Sequence, residues 1–410
     1  MQGLSRIKHR IIDWVDSRLP LAEIWGQHAA HYYVPKNLNF WYFFGVFSLV
    51  VLVNQIITGI WLTMYYIPTA DGAFDSVEHI MRHVHYGWLL RYMHTTGASA
   101  FFIVTYLHMY RAIMYGSYKK PRELLWLIGT VIYVFLMAAA FTGYVLPWGQ
   151  MSYWAAKVIM SLWDSIPFVG KHLSMWIQGD YHLSGITLHR FFAYHVAVLP
   201  MGIVILTALH VLALHKVGSN NPEGVEIKQT LDENGHPIDG ITFHPYYTMK
   251  DLMGLGVFLM AFSLVLFFFP TGGGHFLEPE NFIPANRLVT PSHIAPVWYL
   301  APFYAVLRAV PGKTAGIIVM AAAVSVLFVF PWLDRSPVKS IRYKGIYSKC
   351  ALTIFIISFI GLGYIGTQPP SVLLTFLARV FTTLYFAFFL LMPFYTRYEK
   401  HKVVPTRIYK

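Results

Sequence analysis

The sequence predicts an all-α polytopic membrane protein with eight transmembrane helices. Three observations carry that expectation. Residues of the AVILMFWYC set make up 56% of the 410 residues, while charged residues make up only 12%, about half the share of a soluble domain. So little charge cannot cover a globular surface, which excludes a soluble enzyme. Eight apolar runs reach spanning length, about 20 residues each. The basic residues also divide unevenly between the two sides these runs define.

The runs lie near residues 40–64, 88–110, 124–146, 191–214, 252–269, 314–330, 349–366 and 372–394. Backbone groups in lipid must bond within their own segment, so each run is a helix. Pro121 precedes the third run and Pro270 ends the fifth, positions where proline is tolerated or terminates. The chain divides into a segment 1–39, a four-helix domain 40–250 and a second four-helix domain 251–410. With the N-terminus on side one, that side carries 22 Lys and Arg, side two carries 8, and Arg379 falls within the last span. The excess puts both termini in the cytoplasm. Because the charge follows topology, nucleic-acid binding is not expected. The long connections 147–190 and 270–301 fall on side two, and loops of that length commonly carry function. The N-terminus has basic residues but no short apolar run ending in small residues, so no cleaved signal peptide is expected. A single cysteine, Cys350, excludes disulfide frameworks, cysteine-ligated clusters and covalent haem attachment.

Four histidines lie within two of the runs. His94 and His108 are 14 residues apart in the second, and His195 and His210 are 15 apart in the fourth. The helical rise separates each pair by about 21–22 Å, and the rotation returns each to within about 40–60° of one face. The second and fourth runs point the same way. His94 therefore meets His195 near side two, and His108 meets His210 near side one. An iron porphyrin with imidazole on both faces has no open position and carries electrons. Two such groups about 20 Å apart would form a wire across the membrane. Zinc or copper would call for closer ligand spacing. A lone intramembrane histidine is as often a hydrogen-bonding residue, but two matched pairs favour ligation.

The neighbouring runs repeat the spacing. Gly45 and Gly59 in the first, and Gly129 and Gly143 in the third, are each 14 apart. Glycine lets a bulky planar group approach the backbone, although helix packing also uses it. Arg91, Arg111 and Arg190 sit near helix ends, close in sequence to the histidines. Porphyrin propionates would need such partners; snorkelling to the interface is the alternative.

These residues resemble the cytochrome b family, the core subunits of respiratory ubiquinol–cytochrome c reductases. The resemblance runs from about residue 40 to about residue 398. It rests on Gln55-Ile-Ile-Thr-Gly59, Gly87-Trp-Leu-Leu-Arg-Tyr-Met-His94, Gly143-Tyr-Val-Leu-Pro-Trp-Gly-Gln150 and Arg190-Phe-Phe-Ala-Tyr-His195. Gly218-Ser-Asn-Asn-Pro222, Phe243-His-Pro-Tyr-Tyr247, Pro284-Ala-Asn286 and Pro296-Val-Trp-Tyr299 complete it. The resemblance implies two non-covalent b-type haems, a low-potential one on His94 and His195 and a high-potential one on His108 and His210. It implies ubiquinol oxidation on the periplasmic side, in a pocket formed by the two long loops with Tyr144, Pro296, Trp298 and Tyr299. One electron would go to a Rieske iron–sulfur protein and on to a c-type cytochrome. The other would cross the haems to reduce ubiquinone at His215, Lys250 and Asp251. Protons would be released on side two and taken up on side one. A dimer, through a second copy of the chain, and a bacterial inner-membrane location follow from the same resemblance.

The chain departs from the family pattern at three points. The motif that usually reads Pro-Glu-Trp-Tyr has Val297 in place of the glutamate often assigned as proton acceptor. His275, Glu278, Glu280 or ordered water on the same loops could take that role. Ala155 stands where glycine is common, which predicts weak binding of strobilurin-type inhibitors. The His195–His210 spacing is one residue longer than in mitochondrial members, and Pro200 between them offers a break that absorbs it.

Two other readings compete. A proton-coupled transporter would carry acidic groups and broken helices within the spans. No Asp or Glu lies well inside any run, and no internal repeat is evident. A haem-carrying subunit without quinone chemistry would not need the long side-two loops or the pairing of His215 with Asp251.

Overall fold

The computed structural model describes residues 13–20, 23, 26 and 32–408. Most of segment 1–39, including Arg6, Lys8 and Arg10 of the expected side-one charge, lies outside the described residues.

The first long helix, α1 (Phe43–Thr63), follows a short 3-10 turn capped by Asn39, whose side chain accepts from the Trp41 amide. A short α2 (Ala73–Arg82) leads to α3 (Gly87–Tyr115). Helix α3 starts after Tyr86 in the left-handed region and stops at Gly116, φ 70°, whose amide bonds back to Ala112. Helix α4 (Glu123–Val145) begins just after Pro121. Two side-two helices follow, α5 (Gln150–Asp164) and α6 (Gly170–Gln178). Helix α7 (Gly185–Ala193) runs through a π turn (Tyr194–Val198) into α8 (Leu199–Val217). A polar loop and a two-stranded antiparallel ribbon, β1 (Tyr33–Pro35) against β2 (Gly240–Thr242), close side one before α9 (Thr248–Phe268). The second half holds α10 (Ala301–Ala309), α11 (Lys313–Leu333), α12 (Ile346–Thr367), α13 (Val372–Leu390) and the short α14 (Met392–Tyr398).

Seven of the eight expected spans are long and apolar enough to cross a membrane. The run near 88–110 is also a helix, α3, but it falls short of that apolarity. It carries His94, His108, Arg91 and Arg111 among its 29 residues, and polar side chains inside a span are there for a function rather than for lipid.

The extra residue between His195 and His210 is taken up just ahead of Pro200. In the π turn the Leu199 amide reaches back five residues to the Tyr194 carbonyl. One residue is thereby inserted without breaking the helix. Pro200, which has no N–H to give to the ladder, sits in the first turn of α8.

Helix α1 packs on α3, and α4 packs on α8. One hydrophobic cluster runs from this bundle into the second half, with Phe102, Tyr133, Phe330 and Phe389 almost fully enclosed. Trp126 Nε1 donates to the Leu327 carbonyl at 2.7 Å, tying α4 to α11. A second cluster, around Trp148, Tyr153 and Leu188, packs the side-two helices together.

Candidate functional site

The four histidines meet in two pairs. The ring centroids of His94 and His195 are 6.0 Å apart, and those of His108 and His210 are 6.3 Å apart. The four glycines lie behind them. A Cβ on Gly45 would sit 3.3 Å from His108, on Gly59 3.2 Å from His94, and on Gly129 3.1 Å from His210; on Gly143 it would collide with His195. The group each glycine admits most directly is therefore the neighbouring imidazole.

On side two, hydrogen bonds fix which ring nitrogen is free. His195 Nδ1 lies 2.8 Å from the Ala139 carbonyl. A carbonyl can only accept, so Nδ1 carries the proton and Nε2 keeps its lone pair. His94 Nδ1 lies 2.9 Å from Thr58 Oγ1. That hydroxyl gives its own proton to the Asn54 carbonyl at 2.6 Å, so it accepts from His94. Both rings thus face each other with the nitrogen a metal requires. His108 Nδ1 has only a long contact, 3.4 Å, to Arg111 Nη2.

The pairs fit a metal held between two imidazoles. Two metal–nitrogen bonds of about 2.0 Å, with about 1.1 Å from each nitrogen to its ring centre, span about 6.2 Å. Among the described residues no group of three or more His, Cys, Asp or Glu converges on a point, so a metal here needs other donors in its equatorial plane. The basic residues fit an anionic rim. Arg91 Nη1 and Arg111 Nε are buried without a hydrogen-bond partner, and Arg91 is only 4% exposed. A buried, unmatched guanidinium nitrogen suits a carboxylate. Arg190 differs: its guanidinium donates to the Trp176 carbonyl at the end of α6.

On side one, His108 and His210 line a cavity of about 930 Å³ that also reaches His215, Lys250, Asp251 and Tyr32. His215 stacks on Tyr32, centroids 4.3 Å apart and planes within 13°. The Lys250 ammonium lies over the rings of Tyr246 and Tyr247 at 4.4 and 5.1 Å. Such a volume, lined by Arg111, Arg122 and Lys250 and by the proton-exchanging His215 and Asp251, suits a drug-sized, mostly apolar ligand with an anionic or polar end.

On side two, the two long loops are zipped together. The Gln150 amide bonds the Ile283 carbonyl, and the Ala285 amide bonds Trp148. Gln150 Nε2 donates to Val289, and Gln150 Oε1 accepts from the Asn286 amide. Trp298 Nε1 donates to Ser99 Oγ at 3.1 Å. Tyr299 stacks flat on Phe102, centroids 3.9 Å apart, while Tyr106 donates to its carbonyl. Pro296 is half-buried at the start of this turn, and Val297 is buried in the core. Tyr144 donates to Glu278 Oε2 at 3.1 Å, and Asn281 Nδ2 donates to the same oxygen at 3.1 Å. Burial pushes the Glu278 carboxyl up to about 7.

Asn281, Ser99 and the Ala139 carbonyl were not expected at these sites, and Thr58 was quoted only as part of the motif ending at Gly59. The fold brings Ser99 beside Trp298, Thr58 beside His94 and the Ala139 carbonyl beside His195, whereas Asn281 reaches Glu278 within one turn of the chain.

The chain matches a family described as Cytochrome b/b6/petB over residues 29–218 and one described as Cytochrome b(C-terminal)/b6/petD over residues 284–386. It is 57% identical to "Cytochrome b" of Allochromatium vinosum, covering 99% of this chain and all of that one. It is 49% identical to "Cytochrome b" of Rickettsia typhi, covering 97% of each. Among solved structures it is similar to a chain of "Hyperthermophilic respiratory Complex III", with a TM-score of 0.86 and 38% identity over 95% of this chain and 99% of that one.

Proposed function

The chain belongs to the cytochrome b family, and from that premise we propose that it is the electron-transferring subunit of a proton-translocating quinol–cytochrome c oxidoreductase. Family members bind b-type haems and serve electron transfer in complex III-like assemblies. In this reading quinol is oxidised on the periplasmic side, one electron crosses two haems, and quinone is reduced on the cytoplasmic side.

The observation that carries the reading is the pair of facing imidazoles, 6.0 and 6.3 Å between centroids. Bound between them, a bis-imidazole iron porphyrin supplies reversible one-electron transfer with no open coordination position. His94 and His195 would hold the group near side two, and His108 and His210 would hold the one near side one. Thr58 and the Ala139 carbonyl orient the first pair through Nδ1. Arg91 and Arg111 offer their unmatched nitrogens to propionates.

At side one the protein's task is to deliver protons. Reducing a quinone to a quinol takes up two. His215 and Asp251 line the cavity as the exchanging groups, and Lys250 stabilises negative charge on a ring oxygen. At side two Tyr144, Pro296, Trp298 and Tyr299 frame the oxidation pocket, between the two zipped loops. The partners are a Rieske iron–sulfur protein, a c-type cytochrome and a second copy of the chain, in a bacterial inner membrane with both termini cytoplasmic.

A stepwise redox titration of the purified complex, followed by visible absorption, tests this. Two separable low-spin transitions per chain are expected. One transition or none would break a histidine pair and overturn the reading.

A further inference from the structure

We propose that Glu278 is the proton acceptor for quinol oxidation on side two, in place of the side chain that position 297 lacks. This rests on the quinol-oxidising reading above.

Val297 is apolar and packed in the core, so it can neither take a proton nor pass one on. His275, Glu278 and Glu280 lie on the same loop. His275 and Glu280 are exposed, whereas Glu278 turns inward. Its carboxylate is held from two elements. Tyr144, at the end of α4, donates to Oε2, and so does Asn281. Asn281 is itself fixed by the Ser152 amide at the start of α5, which donates to Oδ1 at 2.8 Å. Glu278 thus sits where the two side-two loops join, in the place the family resemblance gives to quinol. Both side-chain bonds fall on Oε2, which leaves Oε1 to receive a proton.

The position also suits coupled transfer. Tyr144 directly follows Gly143, the residue pressed against His195. Adjacent residues of α4 therefore touch the proton acceptor, through Tyr144, and one histidine of the side-two pair, through Gly143. Burial raises the carboxyl, and Glu280 adds to the rise, while the hydrogen bonds from Tyr144 and Asn281 pull the other way. Tyr299 faces the same carboxylate from the Pro296 turn. An acceptor that titrates near neutrality can take a proton and then release it.

One hydroxyl of the quinol loses its proton and one electron to an iron–sulfur acceptor protein on side two. The O–H bond of the second hydroxyl then breaks. Its proton goes to Glu278 Oε1, its electron would go to the ferric haem that His94 and His195 would hold, which is reduced by one electron, and the ring leaves as quinone. Glu278, now a neutral acid, releases the proton to side-two water and returns to carboxylate.

The test uses the intact complex and compares wild type with E278Q, E280Q and H275A. In E278Q the rate of quinol-driven cytochrome c reduction is expected to fall about 10–100-fold. The acid limb of its pH profile, near pH 7 in wild type, disappears, while both haem spectra and potentials stay. E280Q and H275A keep the rate within about twofold, since each leaves the acceptor in place. Adding V297E to E278Q, which returns a carboxylate to the motif, recovers activity. Wild-type rate and profile in E278Q would overturn the proposal. If E278Q loses haem, E278D carries the test: its shorter carboxylate shifts the acid limb, and an unmoved limb overturns the assignment. A wild-type complex inert toward quinol, with both haems in place, would instead overturn the underlying reading.

Discussion

Gly143 and His195 are so close that one methyl group on the glycine would occupy the same space as the imidazole edge. The other three glycines leave 3.1–3.3 Å between such a methyl and their histidines, tight but open to a small shift. G143A is therefore expected to be the most damaging of the four alanine substitutions. Overpacking of this kind costs about 1–3 kcal/mol, and here the cost falls on the orientation of one ring. Haem absorbance of the purified variant should show the His94–His195 centre reduced by about half or more, with the His108–His210 centre intact. G45A and G129A should keep full absorbance. Equal losses in all four variants would show that the glycines serve helix packing instead.

Thr58 offers a finer test of the same centre. Its hydroxyl accepts from His94 Nδ1 because its own proton is committed to Asn54. An acceptor at Nδ1 makes the ring a more basic ligand, which favours the oxidised metal. T58V removes the acceptor at nearly constant volume. The potential of the His94–His195 centre is expected to rise while the other centre stays put. Redox titration of the two absorbance transitions would read this directly, and a fall in potential would reverse the inferred proton position.

Much of this arrangement could be read from the chain before any coordinates, for a physical reason. Lipid forces helices, and helices have a fixed period, so histidines 14 and 15 residues apart had to share a face. Seven of the eight runs are long and apolar enough to cross a membrane. Helix α3 is not, because the residues that mark it as functional also make it polar. The π turn at 194–198 was legible only as one residue too many. Where that residue enters depends on Pro200 and on packing against α4, which composition does not encode. Ser99 was illegible altogether, since it acts on Trp298, 199 positions away, and of Asn281 only the local bond to Glu278 lay within reach of a sequence reading, not the one to Tyr144. The side-one site was readable as residue types, but the stacking of Tyr32 on His215 depends on a return of the chain that no local pattern predicts.

The side-one face holds a buried ion cluster that the function does not use, and it should contribute to acid stability there. Asp334 accepts from Lys344 Nζ at 2.5 Å and from Tyr118 at 2.6 Å, with Lys119 at 3.2 Å. It joins the loop after α3 to the loop after α11. Burial pushes the Asp334 carboxyl up, but Lys344 and Lys119 more than offset this and hold it below its ordinary value. A depressed carboxyl contributes stability that is complete above its unfolded pKa of about 3.9 and is lost as pH falls through the lower folded value. D334A leaves two lysines unmatched and should cost about 3–5 kcal/mol. Thermal melts of the purified complex at pH 7 should show the loss, and the variant's melting temperature should respond less to acid than the wild type's below about pH 4.

Ala155 bears on inhibitor binding at the oxidation pocket. It is buried in α5, one turn beyond Ser152, whose amide holds Asn281 in the Glu278 cluster. Its methyl therefore points from a helix whose start is fixed, and the helix cannot easily move to relieve a clash. Family members commonly have glycine there, so a strobilurin-type inhibitor shaped to that surface would meet one methyl too many. The penalty is about 1–3 kcal/mol, or roughly 5–150-fold in affinity. A155G should restore that affinity at a cost of about 1 kcal/mol in helix stability. Inhibitor titrations of quinol oxidation in the two complexes would measure the ratio. Nanomolar inhibition of the wild type, or no gain in A155G, would mean that the inhibitor does not reach the Ala155 face of α5, and the pocket would then have to open further toward the Pro296 turn.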